Sequence, residues 1–321
     1  MKRREFLRVL GGAALTCPGE LVAQPAQRIF RIGLLFPGSG SELSPLFEEL
    51  GKLGFIEGQN LAVDRRGTGG GYEQFPAIVT ELVTARVDAI ACGGEAAIRA
   101  AQAATVTIPI IGAADDMVGA GLARSLARPG GNTTGVSILA SDLDGKRQEI
   151  LFELLPGARQ MAVLVDSKTT APSHVQVLRD AARSRGVELS VYGVGRSEDI
   201  APAVEASKTA GAAALNVLAS PLLFGNRITI IVRAAALRLP AIYQWPETAR
   251  EGGLAAYGPR FSEFAQLWAR QVGKVLRGAK PADLPIEQPT RFVLAINLKT
   301  AKAIGLVPSP AMLNRADEVI E

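Results

Sequence analysis

Short apolar runs alternate with amphipathic helical patterns along almost the whole chain, and the alternation starts afresh once, after Pro156-Gly157. Strands joined through helices run parallel, and their helices cover both faces of the sheet. A chain of 321 residues with 48% apolar side chains is long enough for two such units and can fill two cores. The pattern therefore predicts an α/β protein with two parallel-sheet lobes.

The passage between the lobes is placed at Pro129 to Pro156. A turn, Pro129-Gly130-Gly131-Asn132, leads into the β-branched run Thr133-Thr134-Gly135-Val136-Ser137-Ile138-Leu139, which reads as a strand. The acidic bend Asp142-Leu143-Asp144-Gly145 then opens a helix with Ile150, Leu151, Leu154 and Leu155 on one face, and Asp142 or Asp144 is its expected N-cap. Lobe 1 is assigned to residues 28–138 and lobe 2 to 139–257, with 258–321 expected to return to lobe 1. In lobe 1 the strands are expected at Phe30–Phe36, Leu61–Arg65, Val87–Cys92 and Ile108–Ile111, and a helix from near Asp116 should carry Val118, Leu122 and Leu126. In lobe 2 they are expected at 161–166, 187–192, 212–217, 240–244 and 253–257. A long helix over 261–277 should bury Phe261, Phe264 and Trp268, Asn297 should cap a short helix, and a tail helix should turn Met312, Leu313 and Ala316 inward.

The first residues read as an export signal over 1–23. Lys2-Arg3-Arg4-Glu5-Phe6-Leu7 sets paired arginines before Phe-Leu, in the twin-arginine manner, and the apolar segment Val9 to Thr16 is too short to span a bilayer. Cleavage is expected after Ala23, placing the mature protein in the periplasm. The residue before Cys17 is Thr16, where a lipid-anchoring signal wants a small residue, so anchoring is not expected. The formal charge of +4 includes Lys2, Arg3, Arg4 and Arg8 against Glu5 and Glu20, which leaves about +2 on the mature chain. That is too little for a surface that tracks phosphates, and no nucleic-acid partner is expected. Loss of Cys17 with the signal leaves Cys92 alone, so no internal disulfide forms, and Cys92 reads as a buried small hydrophobe.

Ligands of open α/β sheets sit beyond the C-terminal strand ends, where helix N-termini point. The turns at 37–42, 93–96, 112–116, 166–172, 218–224 and 243–246 are rich in Gly, Ser, Thr and Asp, with Lys168 as their one basic residue. Such turns suit a small zwitterion and not a polyphosphate. Gly38, Ser39 and Ser41 offer amide and hydroxyl donors for a carboxylate, or form a solvated turn. Gly94 and Glu95 open a helix, where Glu95 meets either an ammonium or only the helix dipole. Of Asp115 and Asp116 one is expected to be only the N-cap of the following helix, leaving Asp115 for an ammonium. Ser220 precedes Pro221 as a ligand hydroxyl or a turn hydroxyl. Tyr243, Trp245 and Tyr257 cluster at strand ends in a chain with 5% aromatics, as a ligand wall or as core.

Catalytic patterns are missing. His174, the only histidine, reads as a surface residue on a helix, and no serine sits in a nucleophile elbow. One histidine and one retained cysteine do not make an ordinary His/Cys metal site. Gly38-Ser39-Gly40-Ser41-Glu42-Leu43 has Leu43 where a dinucleotide fingerprint has its third glycine, so no cofactor is expected.

The chain resembles the ABC-transporter substrate-binding proteins of the exported, type I periplasmic-binding-protein class, in the branch with tryptophan- and tyrosine-type binders. The leader Arg3-Arg4-Glu5-Phe6, the segment Leu126-Ala127-Arg128-Pro129-Gly130-Gly131-Asn132, Glu153-Leu154-Leu155-Pro156-Gly157-Ala158 and Tyr257-Gly258-Pro259 carry the likeness, with Ala279-Lys280-Pro281-Ala282-Asp283-Leu284-Pro285 and Asn297-Leu298-Lys299-Thr300-Ala301. The resemblance implies two Rossmann-like lobes, a multi-strand hinge of three crossings, a small solute trapped in the cleft, and a membrane permease as partner of a monomeric receptor. It also implies that helix starts after strands one and three hold a carboxylate, with Tyr257 and Ser220 on the opposite wall. The sequence departs from the family pattern at Gly94-Glu95, where relatives commonly carry a hydroxyl-bearing start, and a glutamate there repels a carboxylate at close range. The expected function is a non-catalytic, exported receptor for a small, amino-acid-like solute. A secreted α/β enzyme on a small metabolite and a sensing module for a membrane receptor are the alternatives.

Overall fold

A computed structural model describes residues 28–38, 41–68 and 71–321. The export signal expected over 1–23 lies outside the described residues. Lobe 1 begins β1 (Phe30–Phe36), α1 (Ser44–Lys52), β2 (Leu61–Gly67), α2 (Phe75–Thr84), β3 (Ala89–Gly93), α3 (Glu95–Ala104), β4 (Ile110–Ala114) and β5 (Thr133–Ser137). The chain then crosses to lobe 2 with α4 (Ala140–Leu154), β6 (Gln160–Asp166), α5 (Pro172–Ser184), β7 (Glu188–Val194), α6 (Ile200–Thr209) and β8 (Leu215–Val217). There follow α7 (Pro221–Gly225), α8 (Arg227–Ala236), β9 (Ala241–Tyr243), α9 (Pro246–Arg250) and β10 (Ala255–Gly258). The last elements are α10 (Phe261–Leu276), β11 (Val293–Asn297), α11 (Leu298–Ile304), α12 (Pro310–Arg315) and β12 (Glu318–Ile320).

The first sheet is fully parallel, in the order β2-β1-β3-β4-β5. The second runs β12-β11-β10-β9-β8-β6-β7. Read from β7, its first five strands repeat the order of the first sheet, and only β10 and β11 pair antiparallel. Strands β3, β4 and β5 are buried at every residue, as parallel strands covered on both faces must be. Caps fix several helix starts: the Ser220, Asn297 and Ser309 side chains accept backbone N–H bonds from Leu223, Thr300 and Met312.

Three expectations need correction. No helix forms from Asp116, because its carboxylate takes the N–H groups of Val118 and Gly119 and closes a turn, and Gly121 then adopts a left-handed conformation. Neither Asp142 nor Asp144 caps α4. That helix starts at Ala140 after Leu139, which sits at φ +54° and donates its N–H to the Asp115 carbonyl oxygen at 2.8 Å. Only part of 258–321 lies on lobe 1. Helix α10 packs there, and 284–287 runs beside β5, with Ser137 and Glu287 joined N–H to carbonyl at 2.9 Å. The chain then returns to lobe 2, where the fully buried β11 finds its partner in β10 and β12 closes the sheet edge. The lobes are thus joined at 138–139, at 259–260 and at 288–292. At the second junction both Glu247 carboxylate oxygens accept the Phe261 N–H that opens α10, at 3.1 and 3.2 Å.

Candidate functional site: the cleft between the lobes

The equal strand orders decide where the cleft lies. In each lobe the order reverses beside the first strand, and the C-terminal ends of β1, β3 and β4 face those of β6, β8 and β9. The space between them measures about 680 Å³ counting its open mouth, which is room for a small solute and not for a polymer.

Six rings line it: Phe36, Phe224, Trp245, Phe261, Phe264 and Trp268. All but Phe36 form a continuous pile across the lobe boundary. The Trp245 ring centre lies 5.0 Å from Phe261 and 5.3 Å from Phe264, Phe224 lies 4.9 Å from Phe261, and Phe264 lies 5.7 Å from Trp268. The Trp268 indole N–H donates to the Ile111 carbonyl oxygen at 3.0 Å, which fixes its ring against β4.

The polar lining is small. It comprises Glu95 and Asp115 from lobe 1, and Thr169, Ser220 and Gln244 from lobe 2, with no lysine or arginine among the described residues that line the space. Glu95, the first residue of α3, accepts from the Arg99 guanidinium at 2.7 Å one turn along its own helix. Asp115 is different. Its backbone is held by Ser137 and Leu139, yet among the described residues no hydrogen bond reaches its carboxylate. The side chain keeps some solvent contact through the cleft while protein crowds it on all other sides. That crowding, and then the nearby Asp144 carboxylate, push the Asp115 carboxyl up to about 7, against the partial relief of Arg147 and His174. Ser220 spends its oxygen on the Leu223 N–H at 3.0 Å, which leaves its O–H to donate. Gln244 is 7% exposed, and its side-chain nitrogen has no partner.

The cleft is shut in this structure. Tyr72 of lobe 1 donates its phenol O–H to the buried Asp166 carboxylate of lobe 2, and Lys168 stands 3.9 Å from Glu73. Gly94, at φ +92°, lies so close to Pro221 that an added Cβ would come within 2.8 Å of the proline ring. Across the lobes Gly225 also approaches Gly38: a Cβ added to Gly225 would lie 3.4 Å from the Gly38 Cα, in ordinary contact.

The structure therefore brings together Gly94, Glu95, Asp115, Ser220 and Trp245 of the sequence candidates. Gly38 belongs to the lobe contact and not to the lining. Ser39 lies outside the described residues, as does the side chain of Ser41. Tyr243 is core: it is 3% exposed, packs among the apolar residues of lobe 2, and burial raises its phenol well above the usual range. Tyr257 also turns away from the cleft, stacking near Phe292 at 6.4 Å, and its carbonyl accepts from Arg147 at 2.9 Å. His174 is no surface residue. Its Nε2 meets Asp144 Oδ2 at 3.0 Å with the side chain 14% exposed, and Asp144 also takes the buried Arg147. Sequence reasoning missed Gln244 and the Tyr72–Asp166 bond. It placed Phe261, Phe264 and Trp268 on the buried face of α10 without seeing that this face ends in the cleft.

The sequence profile described as ABC transporter substrate binding protein matches residues 37–320, and the chain belongs to that family. It is 27% identical over 256 residues to a tyrosine-binding protein of Clostridioides difficile (strain R20291), covering 79% of this chain and 73% of that one. Among solved structures, a conserved domain protein of Vibrio cholerae O1 biovar El Tor superposes with a TM-score of 0.80 at 24% identity, over 91% of this chain and 99% of the other. An ABC domain from Streptococcus pneumonia in complex with L-Trp does so with a TM-score of 0.79 at 23% identity, over 91% of this chain and 100% of the other. These likenesses establish two mostly parallel sheets in the periplasmic-binding-protein arrangement. No helix among the described residues is long and apolar enough to cross a membrane.

Proposed function

We propose that this protein is an exported, monomeric periplasmic receptor, freed from its signal near Ala23. It captures a small amino-acid-like solute with an aromatic or apolar body, unchanged chemically, and presents the closed form to an ABC permease. The observation that carries the reading is the convergence, from both lobes, of six rings with two carboxylates on one closed cleft. The rings supply burial for an apolar body, and the few polar groups orient its head. The names of the relatives, one tyrosine-binding and one holding L-Trp, support an aromatic body. Gly94, Glu95, Asp115, Ser220 and Trp245 are the proposed contacts. Lobe closure about the three junctions is the proposed signal to the permease.

Both tryptophans of the chain line this cleft, so its intrinsic fluorescence reports the site directly. Titration with aromatic amino acids and the corresponding amines should give a saturable change in tryptophan emission and a raised melting temperature, with the solute recovered intact. A ligand at a hundred times its Kd stabilises by about 2.7 kcal/mol. Turnover of the bound solute, or no response from any member of the panel, would overturn the reading.

A further inference from the structure

We infer that the cleft selects a primary ammonium on an aromatic body without a free carboxylate, with Asp115 as counter-ion and the Gln244 amide as its neutral neighbour. The inference rests on the receptor reading above and narrows it to one half of an amino acid's zwitterion.

Every charged side chain in the lining is an acid, and both acids come from one lobe. Glu95 is already engaged by Arg99, so the charge left without a partner is that of Asp115. A half-buried carboxylate crowded by protein and without protein donors favours a ligand that supplies them, and an ammonium supplies three N–H groups with a compensating charge. A ligand carboxylate finds the reverse. Among the described residues no lysine or arginine lines the space, and the start of α3, with its outward N–H groups, carries Glu95 as its first residue. An incoming carboxylate would meet the unpaired like charge of Asp115, with Glu95 beside it held by Arg99, in a cleft walled by rings, where screening by water is weak. Independently of the acids, Gln244 points to an occupant. Its amide is more than nine-tenths buried, its nitrogen is unpaired, and it faces the same space. An amide also suits a neutral hydrogen-bonding group and demands no ligand charge.

The groups around Asp115 make this recognition pH-dependent. Glu95 on α3, Asp144 and Arg147 on α4, and His174 on α5 face it, and with burial they hold its carboxyl near 7. An ammonium favours the ionised form of Asp115, so amine affinity falls when the pH is lowered through that value.

Ring-matched pairs test the inference: 2-phenylethylamine against L-phenylalanine, and tyramine against L-tyrosine, each titrated into the wild-type protein at pH 8 and followed by tryptophan emission and calorimetry. The expected result is that each amine binds at least tenfold tighter than its amino acid. Asp115→Asn should weaken the amines at least tenfold and narrow or reverse the gap, while its melting temperature shows it folded. If either amino acid binds as tightly as its amine, the inference is overturned and the receptor reading stands. If no member of either pair alters emission or melting temperature, both fall. If the amines win but Asp115→Asn leaves their affinity unchanged, the counter-ion assignment is overturned.

Discussion

The turns after β3 and β4 of lobe 1 hold Glu95 and Asp115. The turns after β8 and β9, at the corresponding places in the same strand order, hold Ser220 and then Gln244 with Trp245. One lobe offers charge where the other offers neutral donors and a ring. The scaffold repeats and the chemistry does not. A repeated scaffold brings two sets of strand ends and helix starts face to face, which makes a cleft whatever the residues are. Unlike turns then give a ligand a polar end and an apolar end, and so an orientation. The aspartates sharpen the point. Asp144 is satisfied by Arg147, His174 and, at 3.4 Å, the Ala219 N–H, while the nearby Asp115 has no such donors. The first holds the lobe together, and the second faces the cleft.

The repeat in the scaffold can be broken most severely at its fifth strands. A Cβ on Gly135 would lie 1.8 Å from the carbonyl oxygen of Gly112 on the neighbouring fourth strand, and one on Gly258 would lie 2.0 Å from that of Gln244, just past the end of its neighbouring fourth strand. Gly135→Ala adds the strain of a φ of +149° to the collision, and a loss of about 4 kcal/mol or more is expected. Gly258→Ala should cost somewhat less. Chemical denaturation measures both, and tolerance of either substitution would contradict the close strand approach.

Trp245→Ala acts on the lobe 2 wall. Removing a ring that is 5% exposed should cost about 3 kcal/mol of stability. It should weaken amine and amino acid alike, whereas Asp115→Asn separates them. Unequal losses in Trp245→Ala would break the division of labour between the walls. Tyr72→Phe tests closure without touching the lining. It leaves the buried Asp166 carboxylate short of a donor only when the lobes are together, so ligand affinity should fall about tenfold, equivalent to 1.4 kcal/mol. Small-angle scattering of the unliganded variant should show a larger radius of gyration.

Asp115 also sets a pH dependence on the empty protein. Its folded-state value, about 7, lies above the ordinary 3.8, so the folded state binds the extra proton between those values. Stability therefore falls as pH rises from about 4 to about 7 and is level beyond. Melting temperatures of Asp115→Asn should lack that decline, and an unchanged profile would remove Asp115 as its source. The smallest effect is expected at Lys168→Ala, because its pairing with Glu73 is long and exposed at both ends. A change of no more than about 0.5 kcal/mol should appear in denaturant melts.

Much of the scaffold was legible because strand and helix periods are local. The turns that line the cleft were legible too, since they follow the strand ends, but the helix that Asp116 was expected to cap does not form, and its carboxylate closes a turn instead. The rest depends on where distant elements meet. Tyr243 and Trp245 look alike as aromatics near a strand end, yet β9 stops at Tyr243, and past it the alternation of faces no longer applies. Tyr243 enters the lobe 2 core, and Trp245 joins the cluster that spans the lobes. The rings that line the cleft come from β1, α7, the β9 turn and α10, which no local pattern links. His174 looked exposed because its partner, Asp144, lies thirty residues away on another helix.

Affinity of 2-phenylethylamine for the wild-type protein, measured calorimetrically at pH 5.5 and at pH 8.5, tests the role of the lobe 1 acids most directly. The amine stays charged throughout, so the protein alone supplies any change. Affinity should be at least tenfold higher at pH 8.5, and Asp115→Asn should abolish the difference. Equal affinity at the two values, or tighter binding at pH 5.5, would contradict Asp115 as the counter-ion on which selection rests.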